Sequence, residues 1–177
     1  GLGFLFLEIA FMQKFILFSG NPIYSAALVL TSFLIFAGAG SRWSRHLAAS
    51  PRGPAHILWV AALIGGVAVC YVLFLDGILT WLIPSPDAVK GAITIALVAP
   101  LAFIMGIPFP LGLDQLGRSA PALMPWAWGI NGALSVVASV LAALLALSFG
   151  FDVVLLCGAL CYAGAWLAAG QGITGVV

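Results

Sequence analysis

Charged side chains are what this sequence has least of. Only 6% of its 177 residues are Asp, Glu, Lys or Arg, whereas a soluble domain carries roughly 25%. Six Lys/Arg and five Asp/Glu cannot cover the water-facing surface of a protein of this size. The apolar surplus, 64% of the chain, is therefore expected to face lipid. The net charge of +1 gives no basis for a broad electrostatic partner, and we expect no nucleic-acid binding.

The sequence also lacks the residue groupings that carry chemistry. Cys70, Cys157 and Cys161 form no CxxC, and no Cys/His set has the spacing of a metal site. Cys157 and Cys161 lie one helical turn apart, which is better explained by the packing of small apolar side chains. There is no Ser/His/Asp triad, phosphate loop or dinucleotide fingerprint. We expect no metal, cofactor or catalytic residue in this chain, and whether the whole protein is an enzyme stays open.

Six long apolar runs dominate what is present, and a membrane helix needs roughly 20 such residues. The sequence predicts an all-α, polytopic membrane helix bundle that forms one transmembrane domain over residues 1–177. The predicted spans are about 1–19, 23–40, 57–83, 88–107, 125–149 and 153–169. An Arg-rich cytoplasmic loop is expected at 41–54 and an interfacial segment at 111–124, with tight turns at 20–22 and 150–152.

The placement of Lys and Arg predicts the orientation, because cytoplasmic loops carry the excess of these residues. Arg42, Arg45, Arg52 and Arg118 fall in even-numbered connections, and only Lys90 falls in an odd-numbered one. Both termini are therefore predicted to be cytoplasmic. An integral protein of a bacterial inner membrane, with the lipid bilayer as its first partner, fits this pattern.

Two features of the spans bear on helix breaks and packing. Pro108 and Pro110 are expected to end the fourth span, and Pro100 is the candidate for a break within it. On the fifth span, small residues repeat at intervals of four and are expected to allow close helix contact. These residues are Ser135, Ser139 and Ala143.

Polar residues inside a span are costly and are functional hypotheses by default. Glu8 and Asn131 are expected at a similar depth of about 8–11 Å from the inner ends of their helices, at ~1.5 Å per residue, which would allow a shared hydrogen bond. Such a contact is either a polar clamp between helices or part of a proton or cation site.

A second pair is expected nearer the outer side. Lys14 and Asp76 have comparable depths, and an ion pair would reduce the cost of burying either charge. The alternative is that the long stem of Lys14 reaches the outer interface by itself. Gln13 is a further candidate for this polar set.

Several runs resemble a known family. They are GLGFLFLEIA at 1–10, QKF at 13–15, GNPIY at 20–24, MGIPFPLGL at 105–113 and PWAWGING at 125–132. In this order they resemble the membrane region that follows the catalytic domain in bacterial membrane-bound spermidine synthase-like (polyamine aminopropyltransferase-like) proteins. The resemblance implies a cytoplasmic aminopropyltransferase-like domain upstream of Gly1, and any such activity would lie there. The abrupt apolar start without Met also favours a piece of a longer protein.

Three functional hypotheses follow. The first is a membrane module of a spermidine synthase-like protein that handles a small solute or a proton through its intramembrane polar residues. The second is a non-catalytic structural or anchoring subunit of a larger membrane complex. The third, an enzyme acting on a lipid, has the least support because no acid–base or nucleophile grouping is present.

Overall fold

The protein folds into a bundle of long helices. The structure is a computed structural model that describes residues 1–50 and 53–174. Over these ranges it is all-helical, with 92% helix and no strand. Six helical spans there are long and apolar enough to cross a membrane. The predicted all-α class and the predicted six spans are thus confirmed, and they indicate an integral membrane protein.

Seven α-helices lie in the described part of the chain. They are α1 (Leu2–Ser19), α2 (Pro22–Ala48), α3 (Gly53–Leu82), α4 (Asp87–Met105), α5 (Pro108–Ser119), α6 (Met124–Phe149) and α7 (Phe151–Thr174). A 3₁₀ turn, Pro121–Leu123, joins α5 to α6. Helices α4 and α5 together occupy one span.

Glycine makes two of the tight connections. Gly20 ends α1 with φ 71° and Gly150 ends α6 with φ 86°, a backbone region that residues with a Cβ avoid. After Gly20, the Asn21 side chain accepts a hydrogen bond from the Tyr24 amide at 3.2 Å and so caps α2. The predicted turn at 20–22 is therefore present. We call the end of the bundle that holds these two glycines the lysine end, because Lys14 and Lys90 lie towards it, and the opposite end the arginine end.

The proline-rich run around Pro108 separates α4 from α5, and the chain is helical on both sides of it. Pro108 has no amide to offer the Ile104 carbonyl, which instead accepts from Ile107 at 3.2 Å. Helix α4 ends at Met105, and Pro108 and Pro110 lie in the first turn of α5, where a missing amide costs little. Pro100, the other predicted break, lies inside an uninterrupted α4. The segment expected at 111–124 is this short helix and the 3₁₀ turn.

Helix α1 forms the centre of the bundle. Its buried residues are Gly3, Phe6, Leu7, Ala10, Phe11, Lys14, Phe15 and Phe18. The Phe11 ring meets Phe33 of α2 at 6.1 Å and Tyr71 of α3 at 5.0 Å, both edge to face. Such aromatic pairs add to the packing that holds neighbouring helices on α1.

Two pairs of helices cross at glycines, where the absence of a side chain lets the helices approach closely. A Cβ on Gly40 of α2 would overlap the Phe103 backbone of α4, and one on Gly106 would overlap the Ala37 backbone of α2. At the α1–α7 crossing, a Cβ on Gly158 would lie 2.8 Å from the Leu7 side chain. Backbones that approach this closely gain packing contacts that lipid cannot supply.

Two expectations about these helices are wrong. The segment expected as a loop at 41–54 is helical to Ala48, because 41–48 contains no Gly or Pro and its Arg, Leu and Ala favour helix. Arg42 and Arg45 therefore project from α2, while Arg52 lies outside the described residues.

The packing face of α6 also differs from the expected repeat. Ala138 and Ala142 are its buried residues, Ser135 is half-buried, and Ser139 and Ala143 are exposed. The packed face follows a spacing of three to four residues, as the 3.6-residue turn requires, whereas a strict spacing of four drifts off that face.

Candidate functional site

Three charged side chains from three helices meet near the lysine end. The Lys14 Nζ of α1 lies 2.5 Å from Asp76 Oδ1 of α3 and 2.7 Å from Asp152 Oδ1 of α7. The Lys14 side chain is 7% exposed, whereas those of Asp76 and Asp152 are 59% and 51% exposed. The structure thus brings together the predicted pair and adds a third member. We call these three residues the Lys14 cluster.

The fold explains why a lysine can be buried at this place. Lys14 lies among the buried phenylalanines of α1, so its aliphatic stem packs on apolar groups while the ammonium meets both carboxylates. Asp152 lies in the first turn of α7, where the helix dipole favours a negative charge. The alternative of a lysine that reaches the interface by itself is wrong, because the ammonium is held inside the bundle.

The cluster carries more negative than positive charge. One ammonium faces two carboxylates, which leaves a formal charge of −1 when all three are ionised. Asp76 Oδ1 accepts a hydrogen bond from Lys14. Asp152 Oδ1 is buried and has the ammonium beside it but no aligned hydrogen bond from the described residues. This oxygen retains capacity for a further donor.

A cavity of about 350 Å³ adjoins the cluster. Its lining residues are Lys14, Leu17, Phe18, Asp76, Leu79, Thr80, Ile83, Phe151 and Asp152. The walls are mainly apolar and the polar groups converge at one place, which is the usual chemistry of a small-molecule site. Its size and charge suit a small organic cation with an apolar body, or a few water molecules that carry a proton.

The structure does not bring Glu8 and Asn131 together, so the expected hydrogen bond is wrong. A Cβ on Gly1 would lie 3.2 Å from Asn131 Oδ1, which places Asn131 beside the start of α1. Glu8 lies seven residues further along, about 10 Å at 1.5 Å per residue. The depth count fails because α6 begins about two turns further towards the arginine end than α1 does. The half-buried side chains of Glu8 and Gln13 have no hydrogen-bond partner in the described part of the chain.

Sequence reasoning missed two polar residues. Asp152 was assigned to a turn. It lies two residues from Gly150, whereas Lys14 lies six residues from Gly20, so a count of residues from the helix ends does not pair them. Tyr71 was not singled out, and its hydroxyl donates to the Leu97 carbonyl of α4 at 2.6 Å. That carbonyl lies next to the Ala96 carbonyl, which Pro100 deprives of its helical partner.

Among residues 1–50 and 53–174, no group of three or more His, Cys, Asp and Glu side chains is placed to hold a metal ion. No protein-family model, curated protein or solved structure matches this chain.

Proposed function

We propose that this chain is the membrane module of a spermidine synthase-like protein and that its Lys14 cluster binds a small cationic solute. The observation that carries the solute-binding part is the pairing of a buried ammonium with two half-exposed carboxylates at the edge of a cavity. Charged groups inside membrane spans mark solute and proton pathways. The module itself supplies no aminopropyltransferase chemistry, which belongs to the proposed upstream domain.

The excess negative charge selects the class of solute. An organic ammonium would meet Asp76 and the buried Asp152 Oδ1 while its apolar body packs on Leu79 and Phe151. An anion would have to approach both carboxylates before it reached Lys14, which lies beneath them. A proton shared between the carboxylates uses the same groups, so both cargoes depend on Asp76 and Asp152.

Residue placement supports the proposed orientation, with both termini in the cytoplasm of a bacterium. Arg45 of α2 and Arg118 of α5 line one cavity at the arginine end, so the arginines of two different helices share one side of the bundle. Lys90 lies at the other end, with its Nζ 5.7 Å from the centre of the Phe18 ring. Under the positive-inside rule, the Lys14 cavity then opens towards the outer side.

Binding of a simple alkylammonium to the purified chain in lipid nanodiscs tests the solute proposal. Calorimetry with an alkylamine should show saturable binding by the wild type, a loss of at least roughly tenfold in affinity for Asp76→Asn and Asp152→Asn, and no change for Asp87→Asn. Asp87 is a matched control because it is an exposed acid at the same end, outside the cavity. Equal binding by all four proteins would contradict the proposal.

The alternative is a structural or anchoring subunit of a membrane complex. It is favoured by α6, of which Ala138 and Ala142 are the buried residues, so that a wide apolar face remains for lipid or another subunit. Under this alternative, the cluster holds α1, α3 and α7 together and binds nothing. Asp76→Asn and Asp152→Asn would then lower stability while no alkylammonium bound to any variant.

The spermidine synthase-like assignment has a separate test. Intact mass spectrometry of the protein from its native membrane should give a mass well above 18.3 kDa, because the catalytic domain would precede Gly1. A mass near 18.3 kDa would instead favour a subunit that joins a larger assembly.

A further inference from the structure

A second cavity lies at the arginine end, between the last turns of α2 and helix α5. Its volume is about 330 Å³. The residues that line it are Ser41, Ser44, Arg45, Ala48, Ala49, Pro110, Asp114 and Arg118. Two guanidinium groups from two different helices therefore face one space, and the Lys14 cluster has no part in it.

The charges of this cavity do not cancel. Arg118 pairs with Asp114 of the same helix at 2.9 Å, one helical turn away. The Arg45 guanidinium has no ion pair or hydrogen bond with any described residue, although it lines the same space. The excess charge is therefore +1 and belongs to Arg45. The hydroxyl of buried Ser44 already donates to the Ser41 carbonyl at 2.7 Å, so it does not neutralise the arginine.

Arginine is suited to one kind of anion. Its planar guanidinium offers five N–H donors in a fork that matches the oxygens of a phosphate group. Asp114 occupies part of the Arg118 guanidinium, and both residues line the cavity. The other N–H donors of Arg118 stay available. Two arginines from two different helices thus provide donors for one bound tetrahedral anion.

The cavity lies along the last turns of α2, beyond the apolar part of that helix. The apolar part of α2 ends near Gly40, and Arg42, Arg45 and the exposed Trp43 follow directly on the same helix. The Trp43 ring packs edge to face on His46 at 5.3 Å. Aromatic and basic residues just beyond an apolar run lie at the depth of the lipid headgroups, and basic pockets there bind phosphate-bearing heads.

We propose that the cavity between α2 and α5 is a binding site for a phosphate-bearing anion, with Arg45 as the main recognition residue. At this depth the headgroup of an anionic phospholipid is one source of the phosphate, and free phosphate from the aqueous side is the other. The site stands apart from the proposed solute function, since it lies at the opposite end of the bundle and shares no residue with it.

Native mass spectrometry of the full chain tests this site. The protein is titrated in detergent with phosphatidylglycerol, with phosphatidylcholine and with inorganic phosphate, as wild type and as Arg45→Gln, Arg45→Lys and Arg42→Gln. Arg42 is the matched control, because it is an exposed arginine of the same helix that does not line the cavity. Circular dichroism checks that each variant keeps its helix content.

We expect the wild type to retain phosphatidylglycerol in preference to phosphatidylcholine, and Arg45→Gln to lose roughly fivefold in affinity, the usual contribution of one arginine near anionic headgroups. Arg45→Lys should recover part of this loss, and Arg42→Gln should behave as the wild type. The same pattern with inorganic phosphate, without lipid retention, would support the site and assign it to free phosphate. Equal losses in Arg45→Gln and Arg42→Gln would overturn it, since general surface attraction does not distinguish them. Equal retention of both lipids, or binding of no ligand, would also overturn it.

Discussion

At the scale of single residues, most of the acidic side chains lie next to a basic one. Two of the five acidic side chains meet Lys14 and a third meets Arg118. A buried charge is tolerated when opposite charges compensate the loss of water, and Lys14 has two such partners. Removal of one carboxylate should therefore lower the free energy of unfolding less than removal of the ammonium does, because the remaining carboxylate still neutralises the lysine.

Lys14→Met is the sharpest test of this arrangement. It leaves Asp76 and Asp152 facing each other without a cation, and we expect a loss of about 1–3 kcal/mol in unfolding free energy. The loss falls below the ~3–5 kcal/mol of fully buried pairs because both carboxylates are half exposed. Asp76→Asn alone should cost less, and the double variant Lys14→Met/Asp76→Asn should recover part of the loss. Steric trapping in bicelles measures these values, and strictly additive losses would contradict the pairing.

The residue scale also shows where a sequence is informative in a membrane bundle. The Lys14–Asp76 contact was predictable because both depths are counted from the same end, where short turns bring the helices level. The Glu8–Asn131 contact failed because the count assumed that α1 and α6 begin at one level. Helix offsets depend on how neighbouring side chains and backbones fit together, which spacing along a single span does not encode.

At the scale of helices, close packing depends on a few glycines. Gly40 and Gly106 lie at the crossing of α2 and α4, and each faces the backbone of the partner helix. The two helices run parallel, both from the lysine end to the arginine end, and they cross near their last turns, where each of these glycines lies. The sequence offers no way to recognise these two glycines among the 21 of the chain, since most glycines inside the other spans face open space.

Gly40→Ala should separate α2 from α4. Its Cβ would overlap the Phe103 backbone, which cannot move aside as a flexible side chain would, and we expect a loss of about 1–3 kcal/mol in unfolding free energy. Gly38→Ala is the control: it lies on the same helix with nothing within 4 Å of a new Cβ, so it should be neutral or slightly stabilising. Unfolding in SDS, followed by circular dichroism, compares the two. If both substitutions are equally mild, α2 and α4 do not approach as closely as described.

At the scale of the whole molecule, charge is divided between the two ends of the bundle. Arg45 and Arg118 share the arginine end, and Arg42 projects from the same last turns of α2. Lys90 lies at the lysine end, and Lys14 does not count towards the interface because its charge is compensated inside the bundle. Acidic residues contribute little to orientation, so the bias rests on the arginines.

This division predicts which end faces the cytoplasm, and single cysteines test it. Ser85→Cys lies between α3 and α4 at the lysine end, and Ser119→Cys ends α5 at the arginine end, both in a background without the three native cysteines. In intact bacterial cells, a membrane-impermeant maleimide should label Ser85→Cys and spare Ser119→Cys, and permeabilised cells should be labelled at both. The reverse pattern would place the arginine end outside and contradict the positive-inside prediction.

The expected labelling pattern also locates the termini and the Lys14 cavity. Six spans are an even number, so both termini lie on one side of the membrane. If only Ser85→Cys is labelled in intact cells, both termini are cytoplasmic and the Lys14 cavity opens outwards. A cationic solute would then enter that cavity from outside the cell, which decides the side from which the alkylammonium has to be offered in any transport assay.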